Sequence, residues 1–285
     1  MKALVYNGPK LLSYCDVNEP RSGQDNVLIK IEAVGICGSD MHAYLGHDER
    51  RPAPLILGHE AAGIICGGAR DGERVTINPL VSCGNCSACT TGRENICPDR
   101  QIISMPPREG AFAQYVTMPE RNLVNVPTEY SLDKAALVEP LAVGWHTAKL
   151  ATNAIDAKME KKALVIGGGA IGLATALALK AMGITELTIS EFNPLRRKYL
   201  LEHIDAKIVE KTENSFPIVI DAVGFASTRA VASQLVSPGG VIAHVGLGDN
   251  TNGLDVRRMT LQEITFIGTY TYTAQDFKDT AEALF

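Results

Sequence analysis

The chain has 285 residues, 46% of them hydrophobic and 21% charged, the composition of a folded globular protein long enough for two ordinary domains. A formal net charge of −5 gives it no basic field, so neither nucleic acid nor an anionic membrane is an expected partner. Its start, Met1-Lys2-Ala3-Leu4-Val5-Tyr6, lacks the charged leader and long apolar run of a signal peptide, and no signal peptide is expected. Four of the seven cysteines crowd between Cys83 and Cys97, which fits thiolates on a metal better than disulfides and points to the reducing cytoplasm.

Taken from the N-terminus, residues 1 to about 148 are rich in Pro, Gly and short β-like runs. These runs are Leu4-Val5-Tyr6, Val27 to Ile31, Ala61 to Ile65, Arg74 to Ile77 and Ala113 to Val116. They are too short and irregular for a parallel sheet, and an antiparallel, barrel-like domain is expected. The segment Leu150 to Lys162 reads as a helix and connector. Beyond it the texture changes to apolar runs alternating with helical stretches. Ala163 to Ile166 precedes a helix near 170–182, and Leu187 to Ser190 precedes another near 194–203. Pro217 to Asp221, Val241 to Val245 and Ile264 to Ile267 continue the series. Near-continuous apolar strands with helices between them predict a parallel sheet covered on both faces, the doubly wound Rossmann pattern. Ala163 to Leu179 is apolar enough to suggest a membrane span, but it is short, holds four glycines and is closed by Lys162 and Lys180, so strand plus helix is the better reading. No internal repeat or low-complexity tract interrupts this plan.

Three groups of residues carry chemistry. Gly167-Gly168-Gly169-Ala170-Ile171-Gly172 follows an apolar strand and opens an apolar helix, with Glu191 at the end of the next strand. Gly167 would allow the tight turn, Gly169 the approach of a pyrophosphate, and Gly172 close packing of helix on strand. The helix N-terminus offers free N–H groups to phosphates. Glu191 would accept hydrogen bonds from the ribose hydroxyls and repel a 2′-phosphate, which favours NAD, whereas neighbouring Arg196 and Arg197 keep NADP in play. The second group, Cys83, Cys86, Cys89 and Cys97, sits in a polar lobe at 81–100. Four thiolates saturate a tetrahedral zinc, so the site is structural. Arg93 and Arg100 are balanced there by Glu94 and Asp99, which argues against a nucleic-acid-binding ribbon. The third group is Cys37, His59, Glu60 and Glu139. A thiolate, an imidazole and carboxylates suit a zinc with an open position, although each residue alone reads as an ordinary buried side chain or helix-start acid.

Together these motifs resemble the zinc-dependent medium-chain dehydrogenases, and within them the polyol and threonine dehydrogenase branch. The resemblance rests on Gly35-Ile36-Cys37-Gly38-Ser39-Asp40, His42, Gly58-His59-Glu60, the four-cysteine lobe, Val138-Glu139-Pro140-Leu141-Ala142-Val143-Gly144 and the glycine fingerprint. It implies a GroES-like, β-rich catalytic domain (residues 1–148, with the zinc lobe 81–100) and a Rossmann domain (149–285), with catalytic zinc between them. Cys37, His59 and Glu60 would be zinc ligands. Glu139 stands where the branch has a glutamate that binds the zinc or holds its water, and either glutamate could be the inner ligand. Ser39 and His42 would form a hydroxyl-to-histidine proton relay. Val143, Val223, Val245, Leu247 and Thr269 fall where the family packs the nicotinamide.

The implied activity is hydride transfer from a secondary alcohol (a polyol, sugar acid or hydroxy amino acid) to NAD. An NADP-linked aldehyde reductase and a non-catalytic zinc- and nucleotide-binding relative are the alternatives. Tyr44, His47, Asp48 and Arg51 are candidates for a polar substrate rim. The family usually continues roughly fifty to sixty residues further, so a C-terminal return to the catalytic domain is expected to be absent. The last strand of the Rossmann sheet, near Glu263 to Thr269, is expected to pair copies into a homodimer or a homotetramer.

Overall fold

The computed structural model describes residues 1–23 and 26–285. The chain divides into two compact units, one formed by Met1–Glu139 with Thr273–Phe285 and the other by Pro140–Tyr272. The boundary thus falls nine residues before the expected 148, inside a single helix, Val138–Ala154, where the sequence suggested a helix and connector over 150–162. Helix Ala274–Leu284, which the sequence reading assigned to the Rossmann domain, groups with the first unit. Its N-terminus is capped by Thr273 and by Glu94, which accepts from the Ala274 N–H. At its other end Phe285 packs on Tyr130, with ring centroids 5.0 Å apart. Thr273-x-x-Asp276 is a capping box: the Asp276 carboxylate accepts from the Thr273 N–H and the Thr273 hydroxyl accepts from the Asp276 N–H.

The first unit is antiparallel. Its five-stranded sheet runs in the order Leu123–Asn125, Arg74–Ile77, Glu60–Cys66, Asn26–Gly35, Tyr115–Pro119. A three-stranded sheet is built on Lys2–Gly8, between Leu11–Asp16 and Leu55–Ile56. Ile29, Ile65, Val75, Ile77, Val116 and Met118 close the core of the larger sheet. The strand expected over 113–116 forms two residues later, because Ala113 makes only a single bridge, to Ala3. Leu80–Val81 pairs with Gln101–Ile102, and this short ladder holds the two ends of the cysteine lobe together.

The second unit is a parallel six-stranded sheet in the order Lys207–Val209, Glu186–Ser190, Lys162–Ile166, Phe216–Asp221, Val236–His244, Thr265–Gly268. In chain order this is 3-2-1-4-5-6, the doubly wound arrangement whose ligand crevice opens where strands 1 and 4 diverge. Every residue of Phe216–Asp221 is buried, as strands covered on both faces require. The apolar run at 163–179 resolves into strand Lys162–Ile166 and helix Ala170–Ala181, and no helix among the described residues is long and apolar enough to cross a membrane. Helices Ala226–Leu235 and Val256–Leu261 and strand Lys207–Val209 had no clear sequence signal, being short or weakly apolar.

Gly144 explains part of the Val138 to Gly144 motif. A Cβ there would lie 2.4 Å from the backbone carbon of Ala174, so two helices of this unit touch backbone to backbone. Alanine would gain up to about 1 kcal/mol in helix propensity, but forced repacking costs about 1–3 kcal/mol and the obstructing atoms are backbone. Gly144→Ala should therefore lower the urea midpoint, and an unchanged midpoint would refute the contact.

Candidate metal centres and dinucleotide turn

Strand register assembles the first cluster. In the antiparallel pair of Asn26–Gly35 and Glu60–Cys66, Gly35 stands opposite Glu60, which brings Cys37 beside His59. Gly35 is required for closeness: a Cβ on it would lie 2.1 Å from Glu60 Oε2. Gly58, at φ +90°, sets the direction in which His59 leaves the loop. Asp40, in helix Gly38–Tyr44, then ties the two segments together. Its Oδ2 accepts from the Cys37 N–H at 3.0 Å and its Oδ1 from the Gly58 N–H at 3.1 Å. Sequence reasoning quoted Asp40 only as part of a motif and missed this work.

The result is a compact donor set: one ligand atom each from Cys37, His59 and Glu60 lies within 4.8 Å of the others. Glu139, in the first turn of its helix and 7% exposed, is outside that set. Its charge is nevertheless felt. The Glu60 carboxyl is pushed up to about 7 by burial and then by Glu139. Burial alone would lower the His59 imidazole, but Asp40, Cys37 and Glu139 outweigh it and raise it well above its ordinary value. Three buried carboxyls and a thiol around one histidine are an anionic nest that a divalent cation would satisfy. His59 Nδ1 is 3.3 Å from Ser104 Oγ and 3.6 Å from Asp40 Oδ1, which leaves Nε2 for the cluster. Ser104, another residue missed from sequence, is fully buried at φ +69°, a backbone conformation that costs a non-glycine residue about 1–3 kcal/mol.

Ser39 and His42 are three residues apart on the helix after Cys37, hence on one face. The Ser39 hydroxyl is buried and has no hydrogen-bond partner among the described residues, whereas His42 is exposed. The substrate-rim candidates fare differently. Tyr44 is half-buried and His47 exposed, but Arg51 is 5% exposed and paired with Asp48, so those two charges satisfy each other. Asp48 is held down to about 2: burial would raise it, but hydrogen bonds from Arg50 and the charges of Arg50 and Arg51 prevail.

The second centre is the cysteine lobe. Cys83, Cys86, Cys89 and Cys97 place their sulfurs within 4.8 Å of one another. Sγ–Sγ separations are 3.4 Å for Cys86–Cys89, 3.5 Å for Cys83–Cys97 and 3.9 Å for Cys83–Cys89. Four thiolates at about 2.3 Å from one zinc have edges of about 3.8 Å, so the set fits a closed tetrahedral site. Backbone N–H groups of Asn85 and Cys86 draw the Cys83 thiol down to about 7, towards the thiolate a metal needs.

In the second unit the glycine turn has the expected form. Gly167 takes φ +95°, and a Cβ on Gly172 would lie 1.8 Å from Gly167 O, so helix and turn meet there. A Cβ on Gly169 would meet nothing nearer than the Arg196 guanidinium at 3.8 Å. The turn is therefore open at Gly169, beside the exposed Ala170 and half-buried Ile171 at the helix start, where a phosphate could approach N–H groups and a cation together. Glu191 Oε2 accepts from the Gly168 N–H and Oε1 from the Asn193 N–H, each at 2.8 Å. Two of its four lone-pair directions remain for hydroxyl groups. Arg196 lies 3.7 Å from Glu191, but Arg197 is committed to the carbonyls of Glu191 and Phe192 and to Glu210. Of these two arginines, Arg196 is the one whose guanidinium lies beside Gly169 and Glu191.

Val223, Val245, Leu247 and Thr269 all follow the C-terminal ends of their strands, at the crevice side of the sheet. Leu247 is 85% exposed, and Thr269 shares a 3.0 Å hydrogen bond with Thr147, one turn beyond Val143. The side chain that shapes these turns is Asp221, which the sequence reading overlooked although it ends an apolar strand with a charge. It accepts from the N–H groups of Val223 and Gly224, from the Thr228 hydroxyl, and pairs with His244 at 3.2 Å.

Comparison with known proteins agrees with both halves. The family model for the alcohol dehydrogenase GroES-like domain matches residues 23–128, and that for zinc-binding dehydrogenases matches residues 170–285. The chain is 35% identical over 298 residues to a sorbitol dehydrogenase of Bacillus subtilis, covering 95% of this chain and 82% of that protein. An Escherichia coli alcohol dehydrogenase solved with NADH superposes with a TM-score of 0.90 at 26% identity, covering 100% of this chain and 87% of the other. A zinc-binding dehydrogenase of Sinorhizobium meliloti bound to NADP gives a TM-score of 0.89 at 26% identity, covering 99% and 89%.

The raised carboxyl of Glu60 yields a pH test. Its folded value of about 7 exceeds the ordinary 4.5, so the metal-free fold binds that proton more tightly than the unfolded chain does. The associated stability is present at low pH and lost as pH rises towards 7; the raised His59 acts in the same direction at higher pH. Chelator-stripped protein should therefore melt at a lower temperature at about pH 8 than at about pH 5. Glu60→Gln should flatten that slope, and a slope unaffected by the change would exclude the carboxyl as its source.

Proposed function

Since the chain belongs to the zinc-binding dehydrogenases of the alcohol dehydrogenase family, in the polyol dehydrogenase branch, we propose that it oxidises a secondary hydroxyl of a polyol or sugar acid with NAD. The observation that carries the site assignment is the convergence of Cys37, His59 and Glu60 in a buried anionic cluster, two residues from an orphaned serine hydroxyl. When bound, zinc there would lower the pKa of an alcohol, and a nicotinamide would accept its hydride. Cys37, His59 and Glu60 hold the metal, with Glu139 outside them as a further carboxylate. Ser39 accepts the alcohol proton as it gives up its own, which His42, one turn along the same helix face and open to solvent, takes up as a general base and releases to water. The lobe cysteines hold a second, structural zinc. Gly167, Gly169, Ala170, Ile171 and Gly172 receive the pyrophosphate, while Glu191 takes the ribose hydroxyls. Val223, Val245, Leu247 and Thr269 flank the nicotinamide.

Metal analysis of purified protein should find two zinc ions per chain, with Cys37→Ser and His59→Ala each retaining one and losing turnover. Activity without zinc would sink the mechanism. NADH formation across polyols, aldonates and threonine identifies the substrate class, and failure on all of them would favour the non-catalytic alternative.

For the cofactor, Glu191 supports NAD and Arg196 is the feature that favours NADP. Glu191→Ala should weaken both cofactors, because the carboxylate also holds the Gly168 N–H, but NAD more than NADP. A parental enzyme that prefers NADP overturns the assignment.

The cytoplasm is the location we infer, because the clustered Cys83, Cys86, Cys89 and Cys97 suit thiolates on a metal rather than disulfides, which fits a reducing compartment. Assembly is inferred from the sheet: Thr265–Gly268 is its edge strand, carrying the half-buried Phe266 and Ile267. Pairing with a second copy gives a dimer, or a tetramer of such dimers. Light scattering should exceed the 30.5 kDa of one chain, and Ile267→Lys should reduce it to that mass. A parental monomer rules the pairing out.

A further inference from the structure

Asp48 and Arg51, whose charges the substrate-rim reading leaves without a task, lead to the metal cluster by another route. Arg51 is 5% exposed, and its Nη1 donates to Asp48 Oδ2. Its Nε donates to the Ser104 carbonyl at 3.0 Å. The planar guanidinium thus joins a carboxylate on one edge to a backbone carbonyl on another, a geometry an ammonium cannot reproduce. Ser104 is the residue it grips: no part of it is exposed, and it holds φ +69°, where serine would not settle by preference. That conformation turns its hydroxyl to His59 Nδ1 at 3.3 Å. Asp40 Oδ1 lies beyond it, 3.6 Å from the same Nδ1, and also accepts from Gly58, so Ser104 Oγ is the nearer of two oxygens beside the ring N–H.

We propose that Ser104, clamped by the buried Asp48–Arg51 pair, is a positioning residue that accepts the Nδ1 proton of His59 and so fixes its tautomer and ring plane for metal binding through Nε2. Asp40 supplies charge and ties the ligand loops, while Ser104 supplies the nearer oxygen and, through its clamp, the direction. The inference rests on the reading of Cys37, His59 and Glu60 as zinc ligands. Histidine ligands whose outer partner is removed typically lose about 10–100-fold in metal affinity or activity. The strained backbone provides the means to separate this role from folding. Ser104→Gly removes the hydroxyl and relieves the left-handed conformation, so it should fold at least as well as the parent while holding metal less well.

The test measures zinc release to a chromophoric chelator, and the visible spectrum after cobalt replaces zinc at the open site, for the parent, Ser104→Gly, Ser104→Ala and Arg51→Lys. Thermal melting of each variant accompanies these measurements. Both serine variants should release one zinc about 10–100-fold more readily, keep the second zinc in the cysteine lobe, and show an altered cobalt band. Arg51→Lys should shift the same two readouts in the same direction. If Ser104→Gly matches the parent in zinc release and cobalt spectrum, the hydroxyl has no positioning role and the proposal falls. Parental behaviour in Arg51→Lys removes the clamp from it. A parent that holds only the lobe zinc overturns both this proposal and the ligand assignment beneath it, which distinguishes that failure from the others.

Discussion

Asp40 is a single carboxylate with 3% exposure on which the metal cluster's geometry depends. It reaches the N–H of Cys37 on one side and the N–H of Gly58 on the other, and the positive edge of His59 lies nearby. Burying an acid is costly unless its oxygens are satisfied, and here the satisfied oxygens are what bring two distant segments into register. Burial would raise its carboxyl, but His59 and the two backbone donors hold it below the usual carboxylate range. The sheet adds the second constraint, because Gly35 must lack a side chain for Glu60 to lie against it. A cluster of like charges is thereby held together by contacts within the protein itself.

The second unit solves an analogous problem with neutral backbone. Asp221 gathers the N–H groups of Val223 and Gly224, and Gly224 and Gly246 touch so closely that a Cβ on either would strike the other's loop. Arg229, itself buried, bonds the carbonyls of Gly224, Asp249 and Thr251. The turns at the carboxyl ends of these strands are fixed by polar side chains beneath them.

The legible parts of the sequence were those where one residue type has one physical use. Four cysteines at short spacing, the glycine turn and the buried strands of the parallel sheet could be read because thiolates, absent side chains and unbroken apolar runs have few alternative explanations. The helix at 194–203 was placed correctly from its position after an apolar strand, and the structure shows Asn193 capping it and Pro194 opening it. Asp40, Ser104 and Asp221 were not legible as supports, since nothing in a linear pattern reveals that an aspartate faces two N–H groups or that a serine has been forced to positive φ. The pairing of Asp48 with Arg51 was hidden for the same reason, since a linear pattern shows two polar residues near a loop but not that they are each other's partners. The domain boundary was misplaced because Val138–Ala154 is one uninterrupted helix, and a helix carries no mark where the contacts on either side of it change owner.

Helix Ala274–Leu284 gives the topology a consequence of its own. Because Thr273–Phe285 groups with Met1–Glu139, the Rossmann unit is an insertion, entered once and left once along the chain. It is a contiguous stretch that could be excised as a gene fragment, whereas the metal-bearing unit is discontinuous and has no such fragment. The contacts of Phe285 with Tyr130 and of Glu94 with Ala274 close loops spanning more than half the chain, so their entropic cost is met only after the inserted unit has been synthesised. The first unit is therefore completed only after the inserted one has been made.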